Sequence, residues 1–169
     1  MPCFVRSLSE QDWDAWKRLW GAYLAFYETN RPHAVYETTF QRLLGTEGED
    51  FSCFVAVSEG EIVGLTHFLF HRHCWSIENT CYLQDLFTAP EARGKGVATK
   101  LIEAVYHEAD ARGAASVYWL TQEDNLTARK VYDQVGVKTS FIKYTRSAAK
   151  PKMDLAKMKP LAAQKGRMI

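Results

Sequence analysis

The sequence predicts an α/β (α+β) domain, a central sheet flanked by helices. Residues 82–109 read as a strand, a glycine-rich turn and an amphipathic helix. Residues 51–75 hold two β-rich runs around Glu59-Gly60-Glu61, a hairpin signal. Trp13, Trp16, Trp20, Tyr23, Leu24 and Tyr27 recur at helical spacing and form one stripe. A length of 169 residues, 47% apolar and 13% aromatic, suits a single domain with a sizeable core.

The elements follow in order. Cys3 to Leu8 is expected as a strand, then Ser9 as helix N-cap with Asp12 at the third helical position, a weaker form of the capping box. The aromatic helix runs on to Thr29; Pro32 interrupts, and His33 to Leu44 reads as a second short helix. Phe51 to Ser58 and Ile62 to Trp75 are the hairpin strands. Tyr82 to Thr88 reads as a buried strand stopped by Pro90. Val97, Leu101, Ile102, Ala104, Val105 and Ala109 then give a helix its apolar face. Ala115 to Leu120 is expected as another buried strand. Asn125, Ala128 and Tyr132 fall on one face of a last helix, with Gly136 as its C-cap. The chain shows no internal repeat and no interior low-complexity segment.

The turn at Arg93-Gly94-Lys95-Gly96 is where chemistry enters. Glycines let backbone N–H groups approach a ligand closely, and a helix start adds partial positive charge beside two full ones. Such a turn is suited to phosphates. A P-loop requires Gly-x-x-x-x-Gly-Lys-Ser/Thr and the dinucleotide fingerprint Gly-x-Gly-x-x-Gly; the run Gly94-Lys95-Gly96-Val97-Ala98-Thr99 meets neither.

Arg93-x-x-Gly96-x-Ala98, followed one strand later by Asn125-x-x-Ala128-x-x-x-Tyr132 and Gly136, resembles the GNAT acyl-CoA N-acyltransferases over roughly residues 50–146. Tyr82-Leu83-Gln84-Asp85-Leu86-Phe87 and Ser116-Val117-Tyr118-Trp119 are similar to one branch of that family. It holds the small yeast acetyltransferases acting on histones, polyamines and D-amino acids, and the diamine and thialysine N-acetyltransferases. The resemblance implies the GNAT fold, a mixed central sheet flanked by helices, over residues 1–146, with a basic tail at 147–169. It also implies acetyl-CoA as co-substrate and transfer of the acetyl group to a primary amine by direct attack in a ternary complex. The acceptor classes are a polyamine, an amino acid or a lysine side chain, the last carried on a peptide. A non-catalytic acyl-CoA-binding regulatory protein is the alternative.

Site residues carry over position by position. Backbone N–H groups of Leu86, Phe87 and Thr88 are expected to bind the pantetheine arm and polarise the thioester carbonyl. Arg93, Gly94, Lys95, Gly96, Val97, Ala98 and Thr99 are assigned to the pyrophosphate, and Asn125 and Arg129 also to the cofactor. Tyr132 is the expected general acid toward the leaving thiolate, with a packed tyrosine as its alternative.

The base is more open. A primary amine with a pKa near 10.4 has only about one molecule in a thousand unprotonated at neutral pH, so a proton must leave. Relatives usually carry Glu-Asp where this chain has Gln84-Asp85, and in the diamine enzymes that Glu is a proposed base. Asp85 is the remaining carboxylate, acting directly or through water, and strand alternation turns it away from Gln84. Gln84 can only orient a water, and Asp85 then suits a second cationic group of the substrate. Glu78 and Glu123 are weaker choices.

Composition bounds the rest. No run of about 18 apolar residues exists for a membrane span, and Met-Pro-Cys-Phe lacks a signal-peptide layout. With four scattered cysteines this points to a cytoplasmic protein with reduced thiols and no membrane or nucleic-acid partner. Of 21 basic and 20 acidic residues, the tail after Arg146 takes six basic and one acidic, which leaves the body near −4 and attractive to cationic acceptors. His71 and His73 share a strand face but Cys74 does not, so no metal site is expected. A homodimer or higher homo-oligomer is expected, with a strand over Val137 to Tyr144 pairing subunits and Met153, Leu155, Met158 and Leu161 packing the tail.

Overall fold

The computed structural model describes residues 3–45 and 51–146. Its chain divides into two units, residues 1–137 and 138–169, and every helix and strand described lies in the first. A five-stranded sheet runs in sequence order: β1 (Phe4–Ser7), β2 (Ser52–Ser58), β3 (Glu61–Arg72), β4 (Asn79–Thr88) and β5 (Ser116–Tyr118). The first four are antiparallel neighbours, and β5 joins β4 in parallel, so the sheet is mixed as expected.

After β1 come α1 (Trp13–Phe26) and α2 (His33–Leu43); α3 (Val97–Ala111) connects β4 to β5, and α4 (Leu126–Val135) follows β5. One short 3-10 turn, Glu10–Asp12, leads into α1, and a second, Pro90–Ala92, lies between β4 and the glycine turn. At the first, Asp12 accepts from the Ser9 backbone N–H and hydroxyl, and Arg6 closes on its two oxygens at 2.6 and 2.9 Å. Buried Trp16, Leu19, Trp20 and Leu24 stand at i, i+3, i+4 and i+8 and seat α1 on the sheet. That face, with Phe40 and Leu43 of α2 and Val55, Leu65 and Phe87 of the sheet, forms one core. On the opposite face Leu101, Ile102 and Val105 of α3 cover Ala56, Phe68, Cys81 and Leu83.

The feature that shapes the site is a β-bulge in β4. His67 of β3 faces Asp85 and Phe68 faces Leu83, which leaves Gln84 without a partner. Under strict alternation Leu83, Asp85 and Phe87 would share one face. With one extra residue, Cys81 and Leu83 stay beneath α3, whereas Phe87 enters the α1 core and Asp85 meets Trp20 of α1. The bulge also marks where the sheet opens. β5 pairs with β4 only from Thr80–Ser116 to Tyr82–Tyr118, and past Tyr82 the sole strand neighbour of β4 among the described residues is β3.

Two expectations change. The strand over Ala115 to Leu120 is three residues long, and Tyr118 and Leu120 are exposed, because it is an edge strand whose partner bends away after Leu83. No strand forms over Val137 to Tyr144: residues 138–146 carry neither helix nor strand. The tail residues Met153, Leu155, Met158 and Leu161 lie outside the described residues.

Candidate active site

The glycine turn takes the form its sequence requires. Gly94 and Gly96 have φ of 71° and 75°, the left-handed region that glycine adopts at little cost. Gly96 is the N-cap of the 15-residue α3, and no side chain caps the first-turn N–H groups there. A Cβ at either glycine would meet nothing within 4 Å. The turn is therefore an open cradle of backbone donors at a helix start, flanked by exposed Arg93 and Lys95. Arg93 Nε also donates 3.3 Å to the Thr88 carbonyl oxygen, tying the turn to the end of β4. These residues fit a pyrophosphate.

Beneath α1 lies a buried polar chain. The Trp16 indole N–H donates to His67 Nε2 at 2.9 Å, and His67 Nδ1 lies 2.9 Å from Asp85 Oδ2. Trp20 Nε1–H donates to the same oxygen at 3.2 Å. Burial pushes the Asp85 carboxyl up, but the hydrogen bond and charge of His67 and the donors Tyr23 and Trp20 outweigh it. The group is held below the usual carboxylate range and stays ionised. A carboxylate so held is a weak base and a strong acceptor. Tyr23 meets Tyr27, at the end of α1, edge to face with ring centroids 5.1 Å apart.

Tyr132, on α4, packs on the α3 side of the sheet with its ring 5.5 Å from that of Trp119. Its helix begins at Asn125, whose Oδ1 accepts from the Ala128 N–H at 3.3 Å, and Arg129 donates to the Glu123 carbonyl oxygen at 2.6 Å. Asn125 is thus the N-cap, one position outside the helical face expected for it. Burial, with the nearby Tyr27, pushes the Tyr132 hydroxyl up to about 12, so it keeps its proton at neutral pH and can give one to a developing anion.

Gly136 follows α4 as expected, but its φ of −152° is extended backbone, so no left-handed cap is needed. Glycine is required by contact, since a Cβ would stand 2.5 Å from Trp119. Of the expected base residues, Gln84 is exposed at the bulge and Asp85 is buried next to it. Glu78 precedes β4 and Glu123 lies in the loop before α4, both exposed. His67 and the indole donors of Trp16 and Trp20 are the functional groups that sequence reasoning missed. One ionisable side chain in the otherwise uncharged run Ile62 to Phe70 was the available signal for His67.

The profile of the acetyltransferase (GNAT) family matches residues 13–137, the stretch from α1 through α4. The chain belongs to the GNAT acetyltransferase family. It is 36% identical over 144 residues to the D-amino-acid N-acetyltransferase HPA3 of Saccharomyces cerevisiae, covering 85% of this chain and 89% of that one. A second relative, the N-acetyltransferase YhfO of Bacillus subtilis, is 28% identical over 142 residues, 83% of this chain and 94% of its own. The structure of AAC(6')-Iy in complex with the bisubstrate analog CoA-S-monomethyl-acetylneamine superposes with a TM-score of 0.77 at 19% identity, covering 88% of this chain and 100% of that one. The protein is an acetyl-CoA-dependent N-acetyltransferase, and acetyl-CoA brings its acyl group to the GNAT domain as an activated thioester.

Proposed function

We propose that this GNAT enzyme acetylates a primary amine by direct attack in a ternary complex. The observation that carries the reading is a partly buried Tyr132 that keeps its proton at neutral pH, together with the buried carboxylate of Asp85 on β4. Tyr132 supplies a proton for the leaving thiolate, and Asp85 supplies a negative charge for the amine. Residues Arg93 to Thr99 hold the pyrophosphate, and the β4 backbone at Leu86 to Thr88, with β3 as its one strand neighbour among the described residues, receives the pantetheine arm. Asn125 and Arg129 complete the cofactor side by ordering the start of α4. Gln84 has a carboxamide and cannot take a proton, so its part is to orient the water through which the amine is deprotonated.

The acceptor is a polyamine, an amino acid or a lysine side chain. The yeast relative is named for D-amino acids, which makes these a necessary member of the panel. Free-thiol release from acetyl-CoA is to be followed against spermidine, D- and L-amino acids and a lysine peptide. Release with none of them would end the amine assignment.

We further propose a cytoplasmic homo-oligomer, most simply a dimer, with a catalytic region at 1–146 and the basic tail at 147–169 contributing to assembly. Sedimentation of the full chain and of one ending at Arg146 tests this. A monomeric full chain ends the oligomer, and an equally stable truncated dimer ends the role of the tail.

A further inference from the structure

The rings of Tyr82 and Tyr118 stack 4.8 Å apart and 14° from parallel, and these two residues form the last rung of the β4–β5 ladder. Alternation fixes the side they occupy. Cys81 and Leu83 belong to the α3 core, as do Phe68 and Phe70 of β3 and Val117 of β5. Tyr82, Tyr118 and His71 therefore point to the opposite side, the one that α1 covers further along the sheet. The α1 core takes Leu65 and Phe87 from that side and does not reach Tyr82 or Tyr118.

A third ring holds the stack in place. His71 meets Tyr118 at 87°, with Nε2 3.1 Å from the Tyr118 hydroxyl and Nδ1 2.9 Å from the Arg72 carbonyl oxygen. A carbonyl only accepts, so Nδ1 carries a proton, and in the neutral ring Nε2 then accepts from Tyr118. Tyr118 is thus fixed by one ring on its face and another at right angles, yet 38% of it stays exposed. A cavity of about 360 Å³ opens against it, walled also by Trp75, Thr80 and Ser116. Trp75 is itself exposed, and among the described residues lining this cavity none carries a carboxylate, an ammonium or a guanidinium. A fixed aromatic wall without a formal charge suits an aryl ring, which stacks or packs edge-on.

Position supplies the rest. Pairing of β5 with β4 ends at this rung, and Gln84, exposed at the bulge, stands two residues further on, about 7 Å along the strand. That is the reach of an ethyl link between an aryl ring on the tyrosine pair and an amine at the bulge. We infer that Tyr82 and Tyr118 form a platform for an aryl ring two carbons from the acceptor's amine, with His71 as its positioning residue. This names the acceptor's side chain and rests on the amine-acetylation reading. Arylethylamines and aromatic amino acids both contain the unit. The amino acids add a carboxylate, for which the cavity lining has no cation, so the free amine is expected to be the better acceptor.

The test gives the full chain acetyl-CoA with 2-phenylethylamine, ethylamine, D- and L-phenylalanine, D- and L-alanine, or spermidine. The kcat/KM for 2-phenylethylamine is expected to exceed that for ethylamine about tenfold or more. Tyr118→Leu is expected to bring that ratio below about threefold, with the acetyl-CoA KM within about twofold of wild type. Tyr118→Phe keeps the stack and most of the ratio. Should Tyr118→Leu not fold, Ser116→Tyr fills the cavity from the edge strand and is expected to lower the ratio equally. Phenylalanine preferred over alanine supports the same platform and assigns it to amino acids. The inference is overturned by a wild type without aryl preference, by one that favours spermidine, or by a ratio that neither Tyr118→Leu nor Ser116→Tyr moves. Loss in Tyr118→Phe as complete as in Tyr118→Leu overturns it too. If no amine is acetylated, the acetylation reading fails and calorimetry on the CoA-saturated protein decides the platform. Binding of 2-phenylethylamine about tenfold tighter than ethylamine, lost in Tyr118→Leu, supports it, and equal or absent binding overturns it.

Discussion

The Tyr106 hydroxyl donates to the Val135 carbonyl oxygen at 2.6 Å, fastening the last turn of α4 to α3. With the Asn125 cap at the other end, the helix that carries Tyr132 is held by groups other than the Tyr132 hydroxyl. Removing that hydroxyl therefore leaves the helix in place.

Tyr132→Phe is accordingly expected to lower turnover by a factor of about 10² or more, the loss associated with a general acid. Acetyl-CoA affinity should be nearly intact. Steady-state kinetics and a binding titration check both, and turnover within about twofold of wild type would reduce Tyr132 to a packing role.

Gly96→Trp is expected to abolish CoA binding while the domain stays folded. No atom lies within 4 Å of a Cβ at this position, so the side chain enters the cradle and not the core. The left-handed φ of 75° adds a strain of about 1–2 kcal/mol, visible as a modest drop in Tm. Wild-type CoA affinity in the variant would falsify the assignment of the turn.

Gly136→Ala probes a different constraint. Its backbone is extended, so the expected loss of about 1–3 kcal/mol comes from the methyl group meeting Trp119 at 2.5 Å. Thermal unfolding measures it, and Trp119→Leu in the same chain should recover part of the loss by making room. An Ala variant as stable as wild type would show that the ring shifts freely.

Acid should weaken the fold through two carboxylates. The Arg6 hydrogen bonds, with those of Ser9, hold Asp12 below its usual range despite burial, and Asp85 is held low by the donors around it. A depressed carboxylate stabilises the folded state fully above the unfolded value of about 3.9, and this is lost as pH falls through the lower folded value. Tm is expected to hold between about pH 7 and pH 5 and to drop steeply below about pH 4. Asp12→Asn should shallow that drop, and a Tm insensitive to pH in this window contradicts the assignment.

Much of the fold was legible because local signals agreed with each other. Pro90, the paired glycines at 94 and 96 and the apolar period from Val97 located the end of the strand and the start of the helix, although the strand begins at Asn79, three residues before Tyr82, and the pair Glu59-Gly60 located the hairpin. What escaped was information held in backbone register. Nothing in the composition of Leu83-Gln84-Asp85 distinguishes an ordinary strand from one with an extra residue, so the burial of Asp85 under α1 could not be read. Early termination of β5 follows from the same bend. The tryptophans of α1 were legible as core, but that their N–H groups also hold a histidine and a carboxylate depends on which face His67 and Asp85 occupy.

The unpaired position in β4 separates two demands that usually fall on one residue. The sheet can pair without Gln84: with that position removed, Leu83 and Asp85 would still fall opposite Phe68 and His67 on the faces they now occupy. It asks nothing of the side chain, which is exposed. Deletion at this point should remove the local bend and leave Asp85 beneath α1, and substitution should be milder still. Reactivity beside the acyl group can then be retuned, from a carboxylate to a carboxamide or back, at almost no expense to folding.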